Sequence, residues 1–520
     1  MPLSGPPLAK PVDLFTILGF GLATKPDALA LASAQTSWTW RQLEETCDRL
    51  ARNLLGLGLK PSDRVASRMP NCGELIIHYL ACMKAGLIAT PLNYRYMAPE
   101  IDHALEVSGA CILLTHVERE TDLADSRLAG ALPLGTITYG TASLESTSFE
   151  ALCATVPPSV QLPEPDAKAP AVIFFTSGST GKPKGVTHSL ETFGWLIASF
   201  AQGLELTEGD IVLPGSSISH IGSLMLTLAA FSVGARCDVA RSYDGHELLP
   251  LLRETRPTVM LMLPAALIAL MRDHDAKHED FSSLRLCTSG GDKISAELEK
   301  EFTEMVGFPI DELYGMTEFG GTHMNPPSGL NKLGSVGVTS PGFSSSIRDD
   351  DGKELPAGVE GRLWVKGPEV MIGYWDNPKA TAETIQDDWL DTGDVMRMDE
   401  DGYLWFCGRK KQIIVHDGSN ICPQEVEEAV MGHPAIENAG VVGVHDTLHG
   451  ENVWAYVTLK PGAAAPSSQE VTRFARERVG YKAPEAILVL DEMPLNATGK
   501  VDRVSLKKLA ADRVAAEHPE

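Results

Sequence analysis

Leucines recur at helical spacing across 40–57 (Leu43, Leu50, Leu54, Leu57) and the run is closed by Gly58, so this stretch predicts an amphipathic helix. Residues 64–67 predict a short strand, 74–84 a helix that stops before Gly86, and LIATPLN at 87–93 a buried strand entering a turn. This alternation predicts parallel sheets covered by helices. Residues 155–170, TVPPSVQLPEPDAKAP, are proline-rich and aperiodic and read as a connector. Beyond it AVIFF (171–175) predicts a buried strand, and further strand–helix units follow: IVLPG, a helix at 221–233, ARCDVA, TVMLML, a helix, LRLCTSGG, a helix and IDELYGMTE.

From 335 to 406 the texture changes to short strands separated by Gly, Asp and Pro, as in a small barrel or sandwich. A last unit begins near Lys411, with ICPQEVEEAVMGH and SSQEVTRFARERV as helices and NAGVVGVHD, NVWAYVTLK and ILVLDEMP as strands. The expected fold is α/β: a large N-terminal domain over 1–410, with parallel-rich βα sheets plus a β-barrel-like region, and a small α+β C-terminal domain over 411–520.

Composition narrows the function classes. The 520 residues are 43% hydrophobic and 22% charged, enough to bury a large core without disulfide or metal staples. With 44 basic and 69 acidic residues the net charge is −25, which excludes nucleic-acid binding by bulk electrostatics. A small anion is still admissible, because backbone N–H groups of one loop can bind phosphate locally. The nine cysteines are scattered and never spaced Cys-x-x-Cys, which suits a reducing compartment rather than a disulfide or zinc framework. No signal-peptide pattern opens the chain, and the apolar runs at 221–230 and 259–271 fall short of the roughly 20 residues of a spanning helix. The expectation is a soluble cytoplasmic protein with no integral membrane segment; a homodimer is left open.

The strongest chemical signal is TSGSTGKPKG at 176–185. Its small residues let the backbone fold around an anion, and Lys182 and Lys184 add positive charge. Pro183 after Gly181-Lys182, and Thr176 five residues before Gly181, exclude a Walker A loop. The loop resembles the phosphate-binding signature of the acyl-adenylate-forming superfamily, which includes acyl-CoA synthetases, luciferases and peptide-synthetase adenylation domains. Further motifs of that family follow in order: YGMTE at 314–318, DTGD at 391–394, GRKK at 408–411 and PLNATGK at 494–500. The resemblance extends over about 24–504.

It implies that Thr176, Ser177, Gly178, Ser179, Thr180 and Lys184 bind the ATP phosphates, that Thr317 contacts phosphate, and that Glu318 with Thr180 holds Mg²⁺. Tyr314 would stack on adenine beside Gly315 and Met316, with Gly290, Gly291 and Asp292 along the adenine edge. Asp394 would hold the ribose diol, since a carboxylate accepts two hydroxyl hydrogen bonds, and Arg409 the ribose or phosphates. Lys500 is implied as the catalytic lysine between carboxylate and α-phosphate, and Lys411 as the hinge of a mobile C-terminal domain. His220, Ile221, Gly222 and Ser289 fall at the acyl pocket, and Gly418, Ser419 and His449 at the coenzyme A side. The segment 83–93 matches an early helix–strand element and is expected to be structural.

Four departures stand out: SISH at 217–220 replaces Pro-x-Phe-His, Asp292-Lys293 replaces Ala-Pro, Gln412 follows the hinge, and Ser419 replaces a Glu or Phe. The implied activity is an ATP-dependent carboxylic acid:CoA ligase using ATP, Mg²⁺ and coenzyme A on a medium-chain or branched aliphatic or small aromatic acid. The rival is a free-standing enzyme that loads a carrier protein; intact Lys500, Glu318 and Asp394 speak against a dead scaffold.

Overall fold

The computed structural model describes residues 3–33, 36–140, 148–176, 183–243, 245–291, 294, 296–409, 412–416, 419–446, 450–496 and 499–517. Two compact units emerge. The first comprises Met1–Ser346, Trp364–Asp391 and Asp401–Leu404, the second Ile347–Leu363, Thr392–Glu400 and Trp405–Glu520.

Strands apolar on both faces belong in sheets covered twice, and the first unit contains two of them. One has nine strands in the order Val338–Thr339, Gly320–Met324, Asp311–Met316, Leu286–Gly290, Val259–Met262, Ile211–Gly215, Arg236–Val239, Leu29–Ser33, Ser37–Thr39. Pairings from Asp311–Met316 through Leu29–Ser33 are parallel, and the strands at each end join antiparallel. The other has seven, ordered Gly373–Tyr374, Lys184–Ser189, Pro170–Thr176, Ile88–Pro91, Arg64–Arg68, Ile112–His116, Thr136–Tyr139. These are the expected parallel-rich βα sheets. The β-rich texture after 335 is present too, as Ser344–Arg348, Glu360–Lys366, Trp389–Met398 and Leu404–Arg409.

The predicted helix at 40–57 spans Trp40–Gly56, with Leu43, Leu50 and Leu54 on its buried face. Thr39 caps it by accepting from the Gln42 amide while Gln42 reaches back to the Thr39 amide. Gly58, at φ +101°, then turns the chain away. Along 259–271 the apolar run is divided by Pro264: it ends the strand Val259–Met262 and opens the helix Pro264–Ile268.

Several elements were not foreseen, among them the helices Gly19–Thr24, Leu190–Gly203 and Gly245–Thr255 and the strands Ile112–His116 and Thr136–Tyr139. The helix Ala98–Ser108 has Pro at its start, and the strand Lys184–Ser189 hides its apolar pattern because Thr187, His188 and Ser189 are polar yet buried.

In the second unit, Ile436–Asp446 and Gly450–Leu459 form a long antiparallel pair, joined by Ile414–His416, Ser419–Ile421 and, in parallel, Ala486–Val489. Ile414, Val426, Val430, Val441, Val453, Val457 and Val471 make its core. Leu506 and Ala510 of the helix Arg503–Glu517 pack with Val442 and Tyr456. Arg503 pairs with Glu427 at 2.5 Å, whose other oxygen accepts from the Val441 amide. No helix among the described residues is long and apolar enough to cross a membrane.

One acid of the first unit stands apart. Glu369 is fully buried, and among the described residues neither carboxyl oxygen has a partner from another residue. Gly342 and Gly367 admit it: a Cβ at Gly342 would lie 1.8 Å from Oε1 and one at Gly367 2.2 Å from Oε2. Burial pushes this carboxyl up to about 7. An unfolded glutamic acid titrates near about 4.3, so the unfolded chain sheds the proton first and stability falls as pH rises from about 4 to about 7. Glu369→Gln should therefore stabilise the protein at pH 8, by up to about 3 kcal/mol, and far less at pH 4.5. Urea midpoints of both proteins at the two pH values test this, and equal gains at both would refute it.

Candidate active site

In a parallel sheet, ligands gather beyond the carboxyl ends of the strands. Three predicted segments leave the nine-stranded sheet there: Ser289–Gly291 after Leu286–Gly290, the Tyr314–Glu318 stretch at the end of Asp311–Met316, and Ser216–His220 after Ile211–Gly215. Leu286–Gly290 and Asp311–Met316 are direct neighbours, with Ser289 beside Glu312 and Gly290 beside Leu313. Ser289 is buried, and its hydroxyl has no partner among the described residues.

Asp311–Met316 turns back through Thr317, Glu318 and Phe319 into Gly320–Met324. The turn is tight because a Cβ on Gly315 would lie 2.0 Å from the Gly320 carbonyl oxygen, which leaves glycine as the residue that fits. Tyr314 is buried, with its ring centroid 6.1 Å from that of Phe319 and 5.9 Å from that of His323. Met316 and Thr317 are half-buried, and Glu318 is 6% exposed.

The glycine-rich loop connects two antiparallel strands of the other sheet, Pro170–Thr176 and Lys184–Ser189, with Thr176 opposite Lys184. Ser177, Gly178, Ser179, Thr180 and Lys182 lie outside the described residues. The loop's far end is anchored: His103 Nε2 donates to the Pro183 carbonyl at 2.8 Å, and the Trp375 amide donates to the Gly185 carbonyl.

Three contacts tie this strand and the 371–374 segment to the Thr317–Glu318 turn. His188 Nε2 donates to the Thr317 carbonyl at 2.9 Å, the Met371 amide donates to the Glu318 carbonyl at 2.8 Å, and the Tyr374 hydroxyl donates to Glu318 Oε1 at 2.8 Å. Lys184 Nζ sits 4.0 Å from the centroid of the Tyr374 ring. Burial lowers the His188 imidazole to about 4, so the ring is neutral at physiological pH.

At the predicted acyl pocket, His220 immediately precedes the helix Ile221–Val233, and its Nε2 lies 3.3 Å from Asn93 Nδ2. Asn93 ends a segment expected to be structural; its side chain touches a pocket residue as well. Ile221 is buried, whereas a Cβ on Gly222 would meet no atom within 4 Å.

Asp394, Arg409 and Lys500 belong to the second unit. Asp394 is 1% exposed, and Arg409 Nε donates to its Oδ1 at 2.7 Å. Lys500 closes a turn in which its amide donates to Asn496 Oδ1 and its carbonyl accepts from the Asn496 amide. Gly499, at φ +84°, makes the turn possible. Asp292, Lys411, Gly418 and His449 lie outside the described residues, and of Ser419 only the backbone, in the strand Ser419–Ile421, is described.

Sequence reasoning missed His103, His188 and Tyr374. His188 lacks a motif. Tyr374 had a weak signal, the Gly-Tyr-Trp run at 373–375, but 56 residues separate it from Glu318.

The model of the AMP-binding enzyme family matches residues 21–375, and that of the AMP-binding enzyme C-terminal domain matches residues 425–500. The fatty acid–[acyl-carrier-protein] ligase ScoC of Streptomyces coeruleorubidus is 32% identical over 497 residues, 93% of each chain. A feruloyl-CoA synthase of Amycolatopsis sp is 31% identical over 484 residues, 92% of this chain and 94% of the relative. The ATP-bound MatB from Rhodopseudomonas palustris superposes with a TM-score of 0.88 at 28% identity, covering 97% of this chain and 99% of that one.

The His188 contact is testable by itself. His188→Leu removes the donor to the Thr317 carbonyl and should destabilise the protein by about 1–3 kcal/mol in urea unfolding. An unchanged midpoint would show that this hydrogen bond does not secure the turn.

Proposed function

Because the chain belongs to the AMP-binding enzyme family, we propose that it is an ATP-dependent ligase that joins a small carboxylic acid to coenzyme A. The observation that carries this reading is the pinning of the Thr317–Glu318 turn to the strand leaving the glycine-rich loop. One cluster thereby unites the strand that follows the glycine-rich loop, a lysine and a buried carboxylate. Mg²⁺ is commonly held by one or two carboxylates together with substrate phosphates, and the hard oxygens of Glu318 fit that role; the motif assigns Thr180 to the same ion.

In the first half-reaction a carboxylate oxygen attacks the α-phosphorus of MgATP; the new O–P bond forms as the bond to the bridging oxygen breaks, and pyrophosphate leaves. Thr176, Ser177, Gly178, Ser179, Thr180 and Lys184 cradle the leaving phosphates, and Thr317 touches them. Tyr314, Gly315, Met316, Gly290, Gly291 and Asp292 bind adenine, while Asp394 takes the ribose diol and Arg409 orients it. Lys500 offsets negative charge between the carboxylate and the α-phosphate.

In the second half-reaction the thiol sulfur attacks the acyl carbon and AMP leaves. We assign the moving body to the residues beyond Lys411, so that Lys500 serves the first step and Gly418, Ser419 and His449 face the thiol in the second. His220, Ile221, Gly222 and Ser289 line the acid, a medium-chain or branched aliphatic or a small aromatic one. All nine cysteines are free, in keeping with a reducing cytoplasm. A second reading, loading of a carrier protein, is favoured by the likeness to the acyl-carrier-protein ligase.

The test follows pyrophosphate release over a panel of acids, then thioester formation with coenzyme A or with phosphopantetheinylated carrier. Efficient transfer to the carrier alone would overturn the coenzyme A reading. Lys500→Ala should lose acid-dependent pyrophosphate release by at least about a hundredfold, yet still convert supplied acyl-AMP and coenzyme A to thioester. Normal adenylation by this variant would remove Lys500 from the first step.

A further inference from the structure

We propose that Tyr374 is a positioning residue for nucleotide binding: its hydroxyl aims Glu318 at the cation and its ring seats Lys184 for the phosphates. The inference rests on the reading of Glu318 and Lys184 above.

The two contacts use different parts of one side chain. The hydroxyl donates to Glu318 Oε1 at 2.8 Å, and the ring lies beneath the Lys184 ammonium, 4.0 Å from its centroid. Tyr374 is 7% exposed and Glu318 6%, so the hydroxyl contact is shielded from water, while Lys184 is half-buried. Its backbone is fixed as well: Tyr374 pairs with Val186 and Gly373 with Thr187 across an antiparallel ladder, and the Tyr374 amide donates to Thr381 Oγ1. Thus the strand carrying Lys184 and His188 also carries the partner strand that presents the phenol.

The geometry separates two functions. A hydrogen bond to one carboxylate oxygen limits the rotation of Glu318 and so fixes the direction in which the carboxylate meets a hard cation. The ring face holds an ammonium by cation–π attraction without consuming its three donors, which remain for phosphate oxygens. The phenol contacts both Lys184 and Glu318, so each charged group has a neutral neighbour in Tyr374.

The experiment is calorimetric titration of ATP into the full chain without acid, at stepped Mg²⁺ and separately in EDTA, so binding rather than turnover is read. Tyr374→Phe keeps the ring and loses the hydroxyl; it should raise the Mg²⁺ needed for half-maximal ATP binding about tenfold while metal-free ATP binding stays within about twofold. Tyr374→Leu loses both and should also weaken metal-free ATP binding about tenfold. Equal Mg²⁺ midpoints for wild type and Tyr374→Phe would overturn the proposal, as would parallel losses with and without metal, the mark of general disturbance. Glu318→Gln is run alongside. A shifted midpoint there with none in Tyr374→Phe refutes Tyr374 alone; no shift in either removes Glu318 from the cation site and the proposal with it.

Discussion

A buried carboxylate needs donors in place of water and a backbone that fixes its direction. At Glu318 both demands meet, and the surrounding structure answers them. Burying the group costs hydration, so the fold returns a hydroxyl donor, from Tyr374, to one of its oxygens. It also holds the backbone on both sides of the group: His188 engages the carbonyl of Thr317, and the Met371 amide that of Glu318 itself. Each donor comes from a part of the chain distant in sequence. The site's geometry is therefore a property of the assembled unit, not of the motif.

The two sheets of the first unit divide the work. The nine-stranded sheet brings Ser289, Gly290 and the Tyr314–Glu318 turn to the carboxyl ends of adjacent parallel strands. The seven-stranded sheet contributes the strands around the glycine-rich loop, and with them Lys184, His188 and Tyr374. Glycine permits the close approach where the turn folds back, at Gly315 over the Gly320 carbonyl. Polar residues inside this region, such as His188, keep their place through hydrogen bonds, and for His188 burial suppresses the charged form.

The second unit holds Asp394, Arg409 and Lys500 by simpler means. Arg409 and Asp394 satisfy one another, which presets a carboxylate that is 1% exposed. Lys500 is carried on a turn knit together by Asn496. Both arrangements are local, so motif and geometry coincide there more closely than in the first unit.

The sequence alone determined the α/β class and the helices and strands with clear periodicity, because hydrophobic spacing records which face of an element is buried. It also pointed to the family through five motifs, since residue types at short spacing are legible without a fold. It could not disclose the strand Lys184–Ser189, whose buried residues Thr187, His188 and Ser189 are polar, nor the orphaned acid Glu369. Nor could it reveal that Tyr374 serves both Glu318 and Lys184, or that Asn93 meets His220. Only the tertiary structure decided these, because they depend on which distant segments a β-ladder or a sheet edge brings within hydrogen-bonding distance, and the local pattern carries no trace of that pairing.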